Sequence, residues 1–399
     1  MRKEVIVSAL IILFLLIGTV IAVMFGKGYR FGFGGNGPVL SGTGLLVATS
    51  SPDGAQVFVN GHLTTATDNT INLAPGEYDV KIFKDGYFPW QKKIVIKKEV
   101  VSKADALLFP KAPKLESITN IGILNPVLDP SKTRIAYAVA SQSAVKNGIY
   151  VLDMTSRPIL TLQSASSQIT NETVDAFSSS SLLWSPDSKE ILATIATTKT
   201  TYLIQTNTLN QNPKDVTETK LSVDASWEKL KNDKNKALMD SLPKKLKRVV
   251  AEDFNILEWS SDETKILYEA SRSAELPLII NPPLIGTDST PEIRSIKKGE
   301  VYVYDLKEDR NYKILDSVPE RKEPSPLSIM WYPDSKHLVY VNDSKITMME
   351  YDAKNQTTVY AGPFVDGYVF PWPDATKLVI LTNLGNPTIA PNLYTIGLK

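Results

Sequence analysis

One ten-residue cassette returns along this chain and limits its fold more than any other feature. It reads Leu183-Trp184-Ser185-Pro186-Asp187-Ser188-Lys189-Glu190-Ile191-Leu192. Two further good copies run from Glu258 to Leu267 and from Met330 to Val339, with Trp259 and Trp331 at the tryptophan position. A weaker early copy spans Val127 to Ala136, and a contracted late one spans Phe370 to Val379. Each places an apolar or aromatic residue before a polar turn and a β-prone run after it. Pro186 presets φ for a turn, and Asp187 and Ser188 can hydrogen-bond to nearby backbone. A unit that recurs like this buries its apolar face only against its neighbours, so the copies must stack.

A second strand follows each cassette, such as Gly148 to Asp153, Glu300 to Leu306 and Ile346 to Asp352. Outer strands such as Asn311 to Leu315 and Thr357 to Tyr360 come next. Short strands in fours predict propeller blades. Five cassettes predict five blades, or six if an insert hides another. After the last cassette one further strand remains before Lys399. Leu115 to Thr119 is therefore expected to supply that blade's outer strand and close the ring, removing exposed edges. Trp184, Trp259 and Trp331 are expected to pack between adjacent blades.

The W-S-P-D-S-K cassette with its following Val301-Tyr302-Val303-Tyr304-Asp305 strand resembles TolB-type and WD-type β-propeller repeats. The resemblance covers about Leu115 to Lys399. It implies the fold and says nearly nothing of function, because propellers host unrelated activities.

The N-terminus carries a different signal. Val5 to Phe25 is apolar apart from Ser8, Gly18 and Thr19, with no charge between Glu4 and Lys27. A helix of about 20 apolar residues spans a bilayer's hydrocarbon core. Residues 1–26 are thus read as an uncleaved single-pass anchor with a short cytoplasmic head, against a cleaved signal peptide or a buried helix. Arg2 and Lys3 before the segment and Lys27 and Arg30 after it tie the positive-inside count. The layout of a short head, an anchor and then the bulk of the chain argues for extracytoplasmic domains.

Residues 27–43 read as a Gly-rich flexible linker. Gly32, Gly34 and Gly37 satisfy G-x-G-x-x-G by count. A dinucleotide site needs a strand before and a helix after, and Pro38 follows instead, so no cofactor is expected.

Residues 44–110 read as a small all-β domain. Asn60-Gly61 is a hairpin signal, and Glu77 to Phe83 alternates apolar and polar residues. Ser51-Pro52-Asp53-Gly54-Ala55, Val57 to Gly61, Leu73 to Tyr78 and Asp85 to Trp90 together resemble a PEGA domain, its P-E-G-A signature written here as P-D-G-A. The family's G-x-T-P is replaced by Thr65-Ala66-Thr67-Asp68-Asn69, which affects the local turn. The resemblance implies a small β-sandwich of bacterial or archaeal envelope proteins, a spacer or binding module without chemistry. Tyr87 and Trp90, with Tyr78, either form a sugar-stacking face or fill the small core, and the area aromatics bury favours the core.

Within the propeller region, 114–399, two stretches break the pattern. Residues 224–250 predict a helical insertion, capped by Asp224 or Ser226 and divided by Pro243. Its polar side is basic, with Lys229, Lys231, Lys234 and Lys236, then Lys244, Lys245, Lys247 and Arg248. These form either a docking surface for an anionic polymer, a lipid headgroup or an acidic partner, or the soluble face of a lid whose apolar stripe packs on a blade, and charge opposite an apolar stripe favours the lid. Residues 273–298 form a long Pro-containing loop, of the kind that gathers on binding faces.

Chemistry is sparsely provided. The chain has no cysteine, which removes disulfides, thiolate nucleophiles and cysteine metal sites. Its two histidines, His62 and His337, have no metal partner at helix or strand spacing, and no G-x-S-x-G elbow occurs. Ser241 and Lys244 match S-x-x-K across a proline and lack the accompanying motifs. The cassette aspartates Asp187, Asp262, Asp334 and Asp374 are turn formers first. A formal net charge of +1 gives no bulk case for nucleic acid. The expected protein is all-β and membrane-anchored: a non-enzymatic cell-envelope scaffold without metal or cofactor, with the PEGA module as stalk and the propeller as a platform for protein or polysaccharide. Its alternatives are a propeller-hosted carbohydrate-active lyase or hydrolase, and a passive surface-layer or adhesion component.

Overall fold

The computed structural model describes residues 2–26, 29–34, 37–155, 166–318, 328–365 and 367–399. Two compact units divide the chain. The first holds Met1–Phe109 with Ile280–Pro291, and the second holds Pro110–Ile279 with Glu292–Lys399.

The first unit begins with helix α1, Arg2–Gly26. Its segment Ile6–Met24 is long and apolar enough to cross a membrane, and none of it is buried in the protein. The Gly-rich stretch after it is not wholly linker, since the strands Arg30–Gly34 and Gly37–Ser41 pair there as an antiparallel hairpin. Alternating β-prone residues then build two small sheets. One runs Asn69–Leu73, Gly44–Ser51, Val101–Leu107, its last pair parallel. The other is antiparallel, in the order His62–Ala66, Gln56–Val59, Gly76–Phe83, Trp90–Ile96. Every second residue of Trp90–Ile96 and Val101–Leu107 faces the shared core, where Leu46, Val80, Ile82, Ile94 and Leu108 are buried. Asn60 and Gly61 take φ of 51° and 81°, the pair of positive values a two-residue hairpin turn requires.

The second unit is a β-propeller of four-stranded antiparallel sheets. Five such sheets lie among the described residues, each headed by one cassette. In chain order the cassette-bearing first strands are Leu124–Leu128, Ser180–Trp184, Phe254–Trp259, Ile329–Trp331 and Val369–Pro371. All five cassettes fold alike. In the second sheet Ser185 N–H donates to Glu190 O and Ser188 N–H to Ser185 O, each at 2.9 Å. Equivalent bonds close the turns at Asp129, Ser260, Tyr332 and Trp372. The residue at the end of each turn, Lys132, Ser188, Glu263, Ser335 or Ala375, has a positive φ of 54–61°. The cassette is thus a hairpin whose geometry demands a left-handed residue whatever its side chain.

The last sheet is completed from the other end of the unit. Leu115–Ser117 pairs antiparallel with Asn392–Gly397, Leu115 opposite Ile396. Apolar clusters join the fifth sheet to the first, the first to the second and the third to the fourth. Between the second and third sheets stand two helices, α2 (Lys220–Asp240) and α3 (Lys244–Asp253). They begin four residues before the stretch read as helical. Asp224 and Ser226 therefore lie inside α2 and do not cap it, and Thr219, which precedes the helix, makes no side-chain cap bond.

The long loop after the third sheet's second strand is divided between the units. Its stem stays in the second unit: Ala274–Glu275 pairs with Ser295–Ile296, and Asp309 accepts from Ile279 N at 2.7 Å and pairs with Arg294 at 3.4 Å. Its tip, Ile280–Pro291, is part of the first unit.

Candidate interaction surfaces

The cassette carboxylates are occupied by their own turns. Asp187 Oδ1 accepts from Ser185 Oγ at 2.7 Å, and Asp262 Oδ1 accepts from Ser260 Oγ at 2.7 Å and Thr264 Oγ1 at 2.8 Å. Asp374 accepts from Thr376 N and Oγ1. Burial pushes Asp262 up, but the Ser260 and Thr264 hydrogen bonds outweigh it and bring its pKa down to about 2. Such carboxylates stay ionised and bonded, which suits turn closure rather than proton transfer. Among the described residues no group of three or more His, Asp or Glu side chains could hold a metal ion.

Side chains at the turns also bind neighbouring sheets together. Ser188 Oγ accepts from Ser131 N at 3.2 Å and Ser335 Oγ from Asp262 N at 3.0 Å. Arg134 reaches Thr206 Oγ1 at 3.0 Å and the Ser188 carbonyl, while Lys132 at the first sheet's turn pairs with Glu258 of the third, a sheet that is not its neighbour in the order. Glu258 further accepts from Trp331 N at 2.8 Å. The sequence pattern marks these serines as turn residues, whereas their second partner is non-local and leaves no local signal.

The cassette tryptophans divide into two groups. Trp184 packs between the first and second sheets and donates Nε1–H to Val127 O at 3.0 Å. Trp331 is fully buried between the third and fourth sheets. Trp259 departs from the expectation: it is half-buried and packs on the cluster formed by its own sheet and α3. Its apolar neighbours come from its own sheet and α3, and among the described residues no second-sheet residue belongs to that cluster.

Helices α2 and α3 carry the basic residues singled out by sequence. Leu242, Leu246, Val249 and Val250 anchor α3 on the third sheet, while Trp227, with Val223, anchors α2 on the second. Between these anchors every residue from Glu228 to Ala237 is exposed, including Leu230. α2 is therefore a bridge across solvent and not a lid lying flat on one blade. Lys229, Lys231, Lys234 and Lys236 line it, and Lys244, Lys245 and Arg248 are exposed on α3. Lys247 is half-buried and pairs with Asp240, while Arg248 stands 3.9 Å from Glu252.

The aromatic face suggested for the sandwich is not formed. Trp90 is a core residue at 4% exposure, and Tyr78 and Tyr87 pack half-buried against the same cluster. Trp90 opens a strand whose alternate residues face inward, so its ring joins the apolar cluster between the sheets. His62 is exposed. His337 is buried and its Nδ1 lies 2.6 Å from Asp334.

Comparison with known proteins agrees with the first unit's reading: residues 43–111 match the PEGA domain family. No curated protein sequence matches the chain. Solved structures similar to it include a protein of Agrobacterium tumefaciens described as TolB, with 10% identity, 67% of this chain and 76% of that chain covered, and a TM-score of 0.23. TolB of Acinetobacter baumannii shares 14% identity over 81% of this chain and 60% of its own, with a TM-score of 0.17. The β-propeller domain of Myceliophteria thermophila Cps50 (Swd1) shares 7% identity over 72% of this chain and 100% of its own, with a TM-score of 0.26.

Proposed function

We propose that this chain is a non-enzymatic cell-envelope protein, held to the cytoplasmic membrane by α1, with its two folded units outside and the propeller acting as a binding platform for an anionic envelope polymer or an acidic protein. The observation that carries the reading is the α2–α3 bridge. It offers a row of exposed lysines on a helix held only at its ends, an arrangement that presents charge and buries little. Electrostatic attraction of this kind needs no cavity and falls with ionic strength. The use made of the carboxylates and of His337 supports a scaffold over an enzyme, because these groups close turns and pair with each other.

Two experiments test it. Protease added to intact spheroplasts should digest everything after Lys27; complete protection would reverse the orientation. Full-length protein in detergent should co-sediment with purified anionic envelope polysaccharide in low salt. A variant with Lys234, Lys236, Lys244 and Lys245 changed to Glu should not. Polysaccharide turnover that a single Asp or Glu substitution abolishes would favour the lyase or hydrolase reading instead.

A further inference from the structure

The sandwich's strand Trp90–Ile96 lies at the end of its sheet, and among the described residues the strand it pairs with is Gly76–Phe83. Its outer edge is not bare. Val95 N–H donates to Ser289 Oγ at 2.9 Å, and Lys92 Nζ pairs with Asp288 Oδ2 at 2.8 Å. Both ionic side chains are about nine-tenths buried, at 12% and 11% exposure. Asp288 in turn holds its own segment in shape, Oδ1 accepting from Thr290 N at 2.8 Å, and Thr290 is buried. At Gly286 the backbone comes so near Val100 that a Cβ would stand 2.8 Å from the valine methyl, and φ there is +82°. Residues 286–290 thus make backbone-edge, ionic and close-approach contacts with the sandwich, though they reach it from a loop inserted in a sheet of the other unit.

We infer that the outer edge of Trp90–Ile96 is a peptide-docking site for a turn-shaped Gly-x-Asp-Ser-Thr segment, and that residues 286–290 occupy it in cis. Edge strands offer unpaired N–H groups that added segments satisfy. Here the serine hydroxyl takes the place of a strand carbonyl, and Lys92 supplies selectivity for an acidic residue one position earlier. A segment lacking the carboxylate would give up the 2.8 Å ion pair with Lys92 in a site with little access to water, which is the costly outcome. The site therefore fits a partner bearing the same acidic-hydroxyl sequence, admitted when the chain's own segment leaves. This inference is independent of the polysaccharide reading, since it concerns the other unit and an ordered, buried contact.

The test uses the full-length chain in detergent with Asp288→Asn and Ser289→Ala combined, and a labelled peptide copying residues 284–292. The peptide should bind the double variant at least tenfold more tightly than wild type, whose site is filled intramolecularly at high effective concentration. The same peptide with Asn in place of its Asp should not bind. Equal binding to both proteins, or no binding to a double variant whose melt is unchanged, would overturn the inference. Should the double variant fail to fold, Ser289→Ala alone suffices. Its Val95 amide should exchange hydrogen at least tenfold faster than in wild type, and an unchanged rate would equally refute the proposal.

Discussion

His337 Nδ1 lies 2.6 Å from the Asp334 carboxylate, across a cassette turn that also bonds Asp334 to the backbone N–H groups of Lys336 and His337. Burial alone would lower the pKa of His337. The hydrogen bond and charge of Asp334, with Glu350 opposite on the next strand, outweigh it and raise the pKa above 6.5. Lys336 acts weakly in the other direction. Burial likewise pushes Asp334 up, and His337 more than offsets it, leaving its pKa below 3.8.

The signs give a pH prediction. The raised histidine contributes stability that is complete below its unfolded value of about 6.5 and lost as pH rises through the higher folded value. The lowered aspartate contributes stability that is complete above about 3.9 and lost as pH falls through its folded value. The melting midpoint should therefore decline as pH rises from about 6.5, and His337→Gln should flatten that decline. Parallel curves for wild type and variant across pH 5 to 9 would show that the pair is not coupled to folding.

The tryptophans should differ in weight. Trp331 is fully enclosed and contacts two sheets, so Trp331→Ala should cost about 3–5 kcal/mol through lost burial and a residual cavity. Trp259 is only half-buried against its own sheet and α3, so its truncation should cost clearly less. Denaturant melts of the two variants, run side by side, check the order.

Tyr332 is fully buried, yet its hydroxyl finds no hydrogen-bond partner among the described residues. An unsatisfied buried hydroxyl costs about 1–3 kcal/mol. Tyr332→Phe should accordingly leave the midpoint unchanged or raise it, where most core substitutions lower it. A fall of several degrees would mean that the hydroxyl is bonded after all.

Glu263 sits at the left-handed end of the third cassette turn with φ of 57°, its side chain exposed. Left-handed backbone costs an ordinary residue roughly 1–2 kcal/mol, more than the chain entropy of about 0.5–1 kcal/mol that glycine adds to the unfolded state. Glu263→Gly should stabilise the protein by about 0.5–1 kcal/mol, read from the urea midpoint at constant slope.

What sequence could disclose follows a simple division between local and distant contacts. The turns at Ser188, Glu263 and Ser335 were legible because each is set by residues within the cassette itself. The outer strand at Leu115 was legible from an empty place in a repeating pattern. Trp259 was misplaced because its surroundings depend on where α3 packs, which no residue near it announces. The tip of the long loop was opaque for the same reason. Asp288 and Lys92 are far apart in sequence, and neither stands out alone. Among the aromatic and basic residues considered for partner binding, Trp90 lies in the core because its strand opens inward, whereas Lys244, Lys245 and Arg248 are at the surface.

The pairing of Leu115 with Ile396 also sets a clock. A chain is made from its N-terminus, so the strand Leu115–Ser117 emerges long before its partner exists. At about 5–20 residues per second, the interval lasts roughly 15–60 s. Throughout that time both it and the growing row of sheets keep open edges, the condition in which chains associate wrongly. Without the strand Asn392–Gly397, Leu115–Ser117 has no partner in that sheet, and the edge stays open for as long as the strand is missing.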